Sequence, residues 1–216
     1  MGWAILPVGA HEQHGKHLPL STDTIVATAL AEAVAVRLGG TALPALPYGT
    51  SAEHADFTGT VPLGWATLAA VVIDVVTACR RHEVNPVFVL SGHGGNFILN
   101  PVVRELNSIH RPGHQVVLIP ESTVFGTVMD ETDLHAGRFE TSVMLHLRPD
   151  LVDLGRAVDH VPGNVLRGDL TNLPMRHFAP AGVWGRATQG TAEEGKAVFE
   201  GMVERTSEYV RGWVTR

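Results

Sequence analysis

The sequence predicts an α/β fold, a layered sandwich in which a mostly parallel sheet is flanked by helices. Short apolar runs alternate along the chain with longer segments of helical periodicity, and short turns join most of them. Several apolar runs are bounded by glycine and end in polar loops, which is typical of buried parallel strands. With 44% hydrophobic and 18% charged residues and no visible repeat, the whole chain, residues 1–216, is expected to form a single domain.

The N-terminal part of the chain has the pattern of a strand, a loop and a helix. The apolar run 3–8 predicts a buried strand. A helix is expected to begin at Thr22 or Asp23, either of which could cap it, and to end near Leu38, where two glycines follow. Residues 41–46 predict a second strand that contains a proline near its end.

The middle of the chain contains a long loop and the clearest helix. The loop 47–64 is too aromatic and apolar for a solvated linker, so a functional role is expected. Residues 65–83 predict a helix with one apolar face, and Cys79 on that face is expected to be a core residue. Residues 86–90 predict the strongest strand, which continues directly into the sequence SGHGGN at 91–96.

The rest of the chain continues the alternation of helices and strands. Asn96 is expected to cap one helix, and Thr191 with Glu194 forms the pattern of a capping box for the last one. The predicted elements are a helix at 96–109, a strand at 115–119, an irregular segment at 126–137, a helix at 138–147, a loop-rich excursion at 150–190 and a helix at 191–214.

Charge and hydropathy exclude several classes of partner. The formal net charge is −6, and the longest run of basic residues is the pair Arg80 and Arg81, so nucleic acid is not an expected partner. The longest apolar segment, 68–76, is interrupted by Asp74 and is too short for a bilayer, so no membrane partner is expected. The N-terminus lacks a signal-peptide pattern and the single cysteine cannot form an internal disulfide, so a cytoplasmic protein is expected.

Two polar loops are expected to meet at one edge of the sheet. The segment 9–24 follows the first strand, and SGHGGN follows the strongest one, so His93 should lie close to Glu12, His14 and Asp23. Carboxylates and neutral imidazoles suit zinc, manganese or iron, and an aspartate at a helix start can bridge two ions. Spacing alone leaves two interpretations open, a metal site and a set of solvated polar loop residues.

Six other histidines are expected to be solvated polar residues, because isolated loop histidines usually are. They are His17, His110, His114, His146, His160 and His177.

Four motifs occur in order along most of the chain. They are LPVGAHEQHGKHLPLSTDT at 6–24, PYGTSAEHADFTGT at 47–60, SGHGGN at 91–96 and HAGRFETS at 135–142. At these motifs the sequence resembles the creatininase family of metal-dependent amidohydrolases. The resemblance implies an α/β layered sandwich, two divalent metal ions per chain, with zinc first and manganese or iron as alternatives, and a homo-oligomer, commonly a hexamer.

The resemblance also implies a set of metal ligands. By motif these are Glu12, His14, Asp23 and His93, with Asp23 as the bridge between the ions. True creatininases have a metal-binding glutamate where this chain has Gly95, which cannot coordinate. The resemblance therefore implies Glu140 as the replacement and argues against creatinine as the substrate.

The expected activity is hydrolysis of the C–N amide bond of a small molecule by a metal-bridging hydroxide. His135 is the candidate for carrying a proton to the leaving nitrogen, and a role in orienting Glu140 is its alternative. The candidates for the substrate pocket, with loop packing as their alternative, are Glu53, His54, Phe57 and Trp184.

Other activities remain open. The substrate could be a short peptide that is matured by a mycofactocin-type peptidase, a formamide of a pterin or flavin precursor, or a cyclic keto-sugar that is hydrolysed or isomerised. A module that binds metal or ligand without turnover is the non-enzymatic alternative.

Overall fold

A four-stranded parallel sheet forms the centre of the protein. The computed structural model describes residues 2–109, 115–126 and 132–215. The strands pair in the spatial order β2-β1-β3-β4, so the predicted α/β fold with a mostly parallel sheet is confirmed. In chain order they are β1 (Ala4–Val8), β2 (Thr41–Ala42), β3 (Val87–Ser91) and β4 (Val116–Leu118).

Helices cover both faces of this sheet, and a small antiparallel pair of strands, β5 (Asp159–His160) and β6 (Gly185–Arg186), lies in the C-terminal excursion. None of the helices in the described ranges is long and apolar enough to cross a membrane. The helices are α1 (Thr22–Leu38), α2 (Trp65–Arg81), α3 (Leu99–Ser108), α4 (Glu121–Phe125), α5 (Arg138–Leu147), α6 (Met175–Phe178) and α7 (Ala192–Val214).

The central strands contribute to a different core on each face. Phe88 and Leu90 of β3 pack with α1, α5 and α7, whereas Val87 and Val89 pack with α2 and α3. This split follows from the pleat, because successive side chains of a strand point to opposite faces. Every residue of β1 and β3 is buried, as expected for parallel strands that are covered on both sides.

The order of the strands creates a crevice between β1 and β3. After β1 the chain passes to β2 on one side and later returns to β3 on the other side. All five residues of β1 pair in register with β3, from Ala4 with Val87 to Val8 with Ser91, so both strands end at the same level. The loops that leave them therefore diverge around a common space, where α/β proteins bind ligands.

Two predicted boundaries and one predicted helix cap are wrong. The second strand covers only 41–42, because Pro44 has no N–H for a ladder, although Leu46 rejoins Val8 through a single bridge. The residue before α1 is Ser21, and neither Thr22 nor Asp23 makes a capping bond. Asn96 precedes α3 by three residues, and its side-chain amide hydrogen-bonds to other loops, for example to the carbonyl oxygen of Gly9.

The last helix begins as predicted, although only half of its capping box forms. Thr191 accepts a hydrogen bond from the Glu194 backbone N–H at 3.2 Å, which caps α7. The Glu194 carboxylate turns away from the cap and accepts a bond from Arg138 Nε at 2.8 Å instead. The same carboxylate accepts a bond from Ser142, so it ties α7 to α5.

The close packing of α7 on α5 gives a stability prediction. A methyl group on Gly195 would overlap the carbonyl oxygen of Ser142, whereas one on Gly212 of the same helix would have no neighbour within 4 Å. We expect Gly195→Ala to lower the free energy of unfolding by about 1–3 kcal/mol through overpacking. Gly212→Ala should instead raise it by up to about 1 kcal/mol, because alanine is the better helix former. Denaturant titration of both variants beside the parent protein tests this, and equal stabilities would contradict it.

Candidate metal centre

Four elements of the fold bring the five predicted metal ligands together. Glu12 and His14 follow β1, and His93 follows β3. Asp23 lies in the first turn of α1, and Glu140 lies in the first turn of α5. Glu12 and His14 have no exposed surface, and the other three side chains are at most 14% exposed. We call these five residues the metal centre.

Asp23 lies at the middle of the metal centre. Its Oδ1 is 3.0 Å from His14 Nε2, and its Oδ2 is 3.3 Å from His93 Nδ1. Two groups of possible ligand atoms, each within 4.8 Å of one another, share this residue: Glu12, Asp23 and His93 form one, and His14, Asp23 and Glu140 form the other. Asp23 is thus the residue that these two three-residue groups share.

The polar atoms of the metal centre fit divalent cations. Among the described residues, several of its buried atoms make no hydrogen bond of good geometry, although the histidine nitrogens lie within 3.1 Å of carboxylate oxygens. These atoms are both carboxylate oxygens of Glu12, Nε2 of His14, Oδ2 of Asp23 and Nε2 of His93. Leaving such atoms unpaired is costly, and bound cations would satisfy them. His14 Nδ1 is 3.2 Å from its acceptor, the Glu12 carbonyl oxygen, so its Nε2 is free to bind a cation.

The charges of the metal centre also suit cations. Burial raises the pKa of Glu12 to about 7, because the carboxylate loses its hydration. Burial also lowers the pKa of His14, but the carboxylates of Asp23 and Glu140 outweigh it and hold this pKa well above the ordinary imidazole value. Burial likewise lowers the pKa of His93, but the Glu12 carboxylate outweighs it and holds this pKa well above the ordinary imidazole value. In the absence of a cation these carboxylates keep the histidines protonated, so a cation that binds here must displace these protons.

Two neutral histidines lie beside the metal centre. His135 Nε2 is 2.8 Å from the Gln13 carbonyl oxygen, and its Nδ1 is 3.8 Å from Glu12 Oε1. Burial, with the neighbouring His14, lowers the pKa of His135 to about 3, and burial also lowers the pKa of His54 well below the ordinary value. Both rings are therefore uncharged at neutral pH.

A cavity of about 760 Å³ opens onto the metal centre. Two of the expected pocket residues, Glu53 and His54, line it together with His135. The wall also includes Phe97, Phe125, Leu134 and Arg167. The cavity therefore combines polar groups near the metal centre with apolar surface farther out.

Two expected pocket residues lie away from this cavity. For Trp184 the structure matches the alternative of loop packing, because its side chain has no exposed surface and packs in a cluster with Met175 and Ala179. Its backbone pairs with His135, so it supports the segment that carries this histidine. Phe57 packs under the guanidinium of Arg176, 4.3 Å from the ring centre, and is not part of the cavity wall.

Glu53 occupies the space beside Gly95. Its Oε1 lies 3.1 Å from His93 Nε2, on the wall of the cavity. A side chain at position 95 would overlap both this carboxylate and the His93 ring. Burial alone would raise the pKa of Glu53, but His93 outweighs it and lowers this pKa, so the group is a carboxylate at neutral pH. A carboxylate thus faces the cavity here although residue 95 is glycine.

Two residues of the first loop are buried although the sequence did not indicate it. His17, expected to be solvated, is 1% exposed, and its Nε2 lies 2.9 Å from Thr141 Oγ1. Gln13, which was assigned no role, contacts both His54 and His135. The signal that could have found Gln13 is its place between two ligands in a buried loop. Of the other histidines that were expected to be solvated, His177 is exposed, and His146 and His160 are half-buried. His110 and His114 lie outside the described residues.

The fold and the metal centre together define a metal-dependent enzyme with an α/β sandwich. The family model described as "Creatininase: Creatinine amidohydrolase" matches residues 2–210, and the chain belongs to the creatininase family. The mycofactocin precursor peptide peptidase of Mycobacterium tuberculosis is 34% identical, with 97% of this chain and 85% of the relative covered. The creatinine amidohydrolase of Pseudomonas putida is also 34% identical, with 96% and 88% covered. A solved structure described as "Creatininase Mn" superposes with a TM-score of 0.85 and 31% identity, with 97% of this chain and 90% of that chain covered.

The shared position of Asp23 gives a prediction about metal content. Asp23→Asn should weaken the binding of both ions, because the residue belongs to both ligand groups, whereas Glu140→Gln should affect only one group. We expect Asp23→Asn to lower metal affinity by more than the roughly 10- to 100-fold that loss of an outer partner costs. Elemental analysis after dialysis measures this, with His177→Ala as the exposed control. Equal metal content in Asp23→Asn and His177→Ala would contradict it.

The raised pKa values predict that metal binding expels protons. In the metal-free protein at pH 7, His14 and His93 are protonated because their pKa values lie well above the ordinary value. Glu12, with a pKa of about 7, adds a further fraction of a proton. Zinc binding should therefore release protons at pH 7 and fewer as the pH is raised. Calorimetry in buffers of different ionisation enthalpy measures the number released, and a heat independent of the buffer would refute the prediction.

Proposed function

We propose that two divalent metal ions per chain bind at the metal centre and support hydrolysis of a C–N amide bond. The protein is a metal-dependent amidohydrolase of the creatininase family. The observation that carries the proposal is the position of Asp23, whose two oxygens face two separate ligand groups. When bound, such a pair of ions supplies Lewis-acid activation of water and of the amide carbonyl.

Each ligand group has the chemistry of a mixed oxygen and nitrogen site. Glu12, Asp23 and His93 would hold one ion, and His14, Asp23 and Glu140 would hold the other. Three protein ligands per ion leave a position open for water or substrate, as catalytic sites require. Zinc is the first proposal, because it accepts both donor types at low coordination number, and manganese or iron fits the same donors.

His135 is the proposed proton carrier. Its Nδ1 faces Glu12 and the metal centre, so the ring lies where it could pass a proton to the leaving nitrogen. The alternative role, orientation of Glu140, has less support, because the hydrogen bonds described for His135 go to Gln13. The oxygen Oε2 of Glu140 instead accepts a bond from the backbone N–H of Ala136.

The proposed substrate is a small molecule with an amide bond, bound in the cavity beside Glu53 and His54. Creatinine itself is disfavoured, because Gly95 offers no carboxylate where true creatininases have one. The cytoplasmic location, the hexameric state and the cyclic keto-sugar as an alternative substrate stay predictions from the sequence.

A short peptide is the second candidate substrate. The cavity of about 760 Å³ is large for a single five-membered ring and lies within the range that encloses drug-sized ligands. The apolar residues of its outer wall, including Phe97 and Phe125, could receive the side chains of a peptide. The similarity to mycofactocin precursor peptide peptidases extends over 97% of this chain, which supports the same reading.

The decisive experiment presents the metal-replete protein with small amides, lactams and short peptides in ¹⁸O-labelled water. We expect one class to yield a carboxylate product that contains the label, since hydrolysis transfers oxygen from water. Asp23→Asn should lower the rate by at least about 10³-fold, on the scale at which removal of central catalytic groups acts. Product without label would indicate an isomerase or lyase instead. Full metal content without turnover in any class would favour the binding module.

A further inference from the structure

Gln13 is a buried amide for which the proposed function provides no role. It lies between the ligands Glu12 and His14 and is 4% exposed. Its side chain and backbone contact groups from three other segments, including Thr60, His54 and His135. Burying an amide is costly unless each of its polar atoms makes a hydrogen bond. The donor and acceptor atoms of Gln13 therefore indicate which ring nitrogens of its histidine partners carry a proton.

The orientation of the Gln13 amide is fixed by a donor that cannot accept. The backbone N–H of Gly15 donates to Gln13 Oε1 at 3.0 Å, so the oxygen is on that side and Nε2 is on the other. The backbone N–H of Gln13 itself donates to Thr60 Oγ1 at 3.1 Å, which holds the residue in place. The amide nitrogen is therefore directed at the two histidines.

This orientation determines the tautomer of His54. Gln13 Nε2 lies 2.8 Å from His54 Nδ1, and since the amide nitrogen can only donate, Nδ1 must accept. A neutral imidazole has one proton, so that proton is on Nε2. The N–H at Nε2 faces Glu12 Oε1 at 3.4 Å.

The backbone of the same residue determines the tautomer of His135. Its Nε2 lies 2.8 Å from the Gln13 carbonyl oxygen, which can only accept, so Nε2 carries the proton. The Gln13 amide nitrogen is also 3.1 Å from this Nε2, but two donors cannot bond to each other, and the carbonyl is closer. Nδ1 of His135 is therefore without a proton, and it faces Glu12 Oε1.

We propose that Gln13 is a positioning residue that holds His54 and His135 in the same tautomer, with the proton on Nε2 of each ring, while opposite ring nitrogens face Glu12. The two rings are in contact, tilted by 43° with their centres 4.3 Å apart, and both line the cavity. His54 thus presents an N–H, and His135 presents a lone pair, toward the same oxygen of Glu12. The tautomers stand on contacts alone, and their use as a donor and acceptor pair during amide hydrolysis rests on the proposed function.

Gln13→Glu tests the proposal with almost no change of shape. The new carboxylate can still accept from Gly15, but its second oxygen can no longer donate to His54. Nitrogen NMR of the zinc-loaded protein, labelled with ¹⁵N in histidine, distinguishes protonated from bare ring nitrogens. In the parent we expect a bare Nδ1 in both rings. In Gln13→Glu we expect His54 Nδ1 to move to the protonated shift.

Control variants separate this role from a merely structural one. Thr60→Val removes the acceptor of the Gln13 backbone N–H but leaves the amide intact, so the ring shifts should stay as in the parent. If Gln13→Glu does not fold, Gln13→Met removes the donor and should leave His54 in a mixture of tautomers. Zinc content, measured for each variant, should match the parent.

A kinetic measurement completes the test. With a substrate in hand, Gln13→Glu should lower kcat about 10- to 100-fold with little change in KM, as the loss of an outer positioning partner does. A protonated His54 Nδ1 in the parent, or identical ring shifts in the parent and Gln13→Glu, would overturn the proposal. Because the shifts are read without turnover, an inactive parent would count against the proposed function and not against the tautomers.

Discussion

The parallel pairing of β1 with β3 is the constraint on which the site depends. Five residue pairs in register end both strands at one level, so the loops that carry Glu12 and His93 leave the sheet side by side. The helices α1 and α5 begin at the same place, and each offers an acidic residue in its first turn. The partial positive charge of a helix N-terminus favours carboxylates there. The fold thus assembles Asp23 and Glu140 at positions where negative charge is tolerated.

Much of this site could be predicted because its signals are local. A strand followed by a polar loop is visible in the sequence, and parallel topology places both loops at one edge, so Glu12, His14, Asp23 and His93 were expected to meet there. Glu140 was implied only by the family resemblance, and the structure brings it beside His14 and Asp23. The errors concern residues whose surroundings come from distant segments. His17 is buried by contact with Thr141, which is 124 residues away. Trp184 is buried in a cluster whose partners include the distant Phe57 and Leu134. The role of Gln13 depends on His54 and His135, which lie 41 and 122 residues away.

One amide side chain connects the loops around the cavity. Asn96 donates to the carbonyl oxygen of Gly9 at 3.2 Å and to Ser91 Oγ at 3.3 Å, and its own oxygen accepts from the backbone N–H of Thr50 at 2.9 Å. The loops after β1 and β3 and the segment before Glu53 are thus joined at one point. Since buried networks of this kind are rigid when every member is satisfied, Asn96 holds the backbone segments that carry Glu53 and His93 close together.

The position of Glu53 beside Gly95 has a consequence for substitutions at position 95. One volume beside His93 can receive a carboxylate from either of two loops, but the overlap leaves no space for side chains from both. A side chain introduced at position 95 would therefore require the Glu53 carboxylate to move away from His93. The space beside His93 holds one acidic side chain, and in this protein that side chain comes from the loop that carries Glu53.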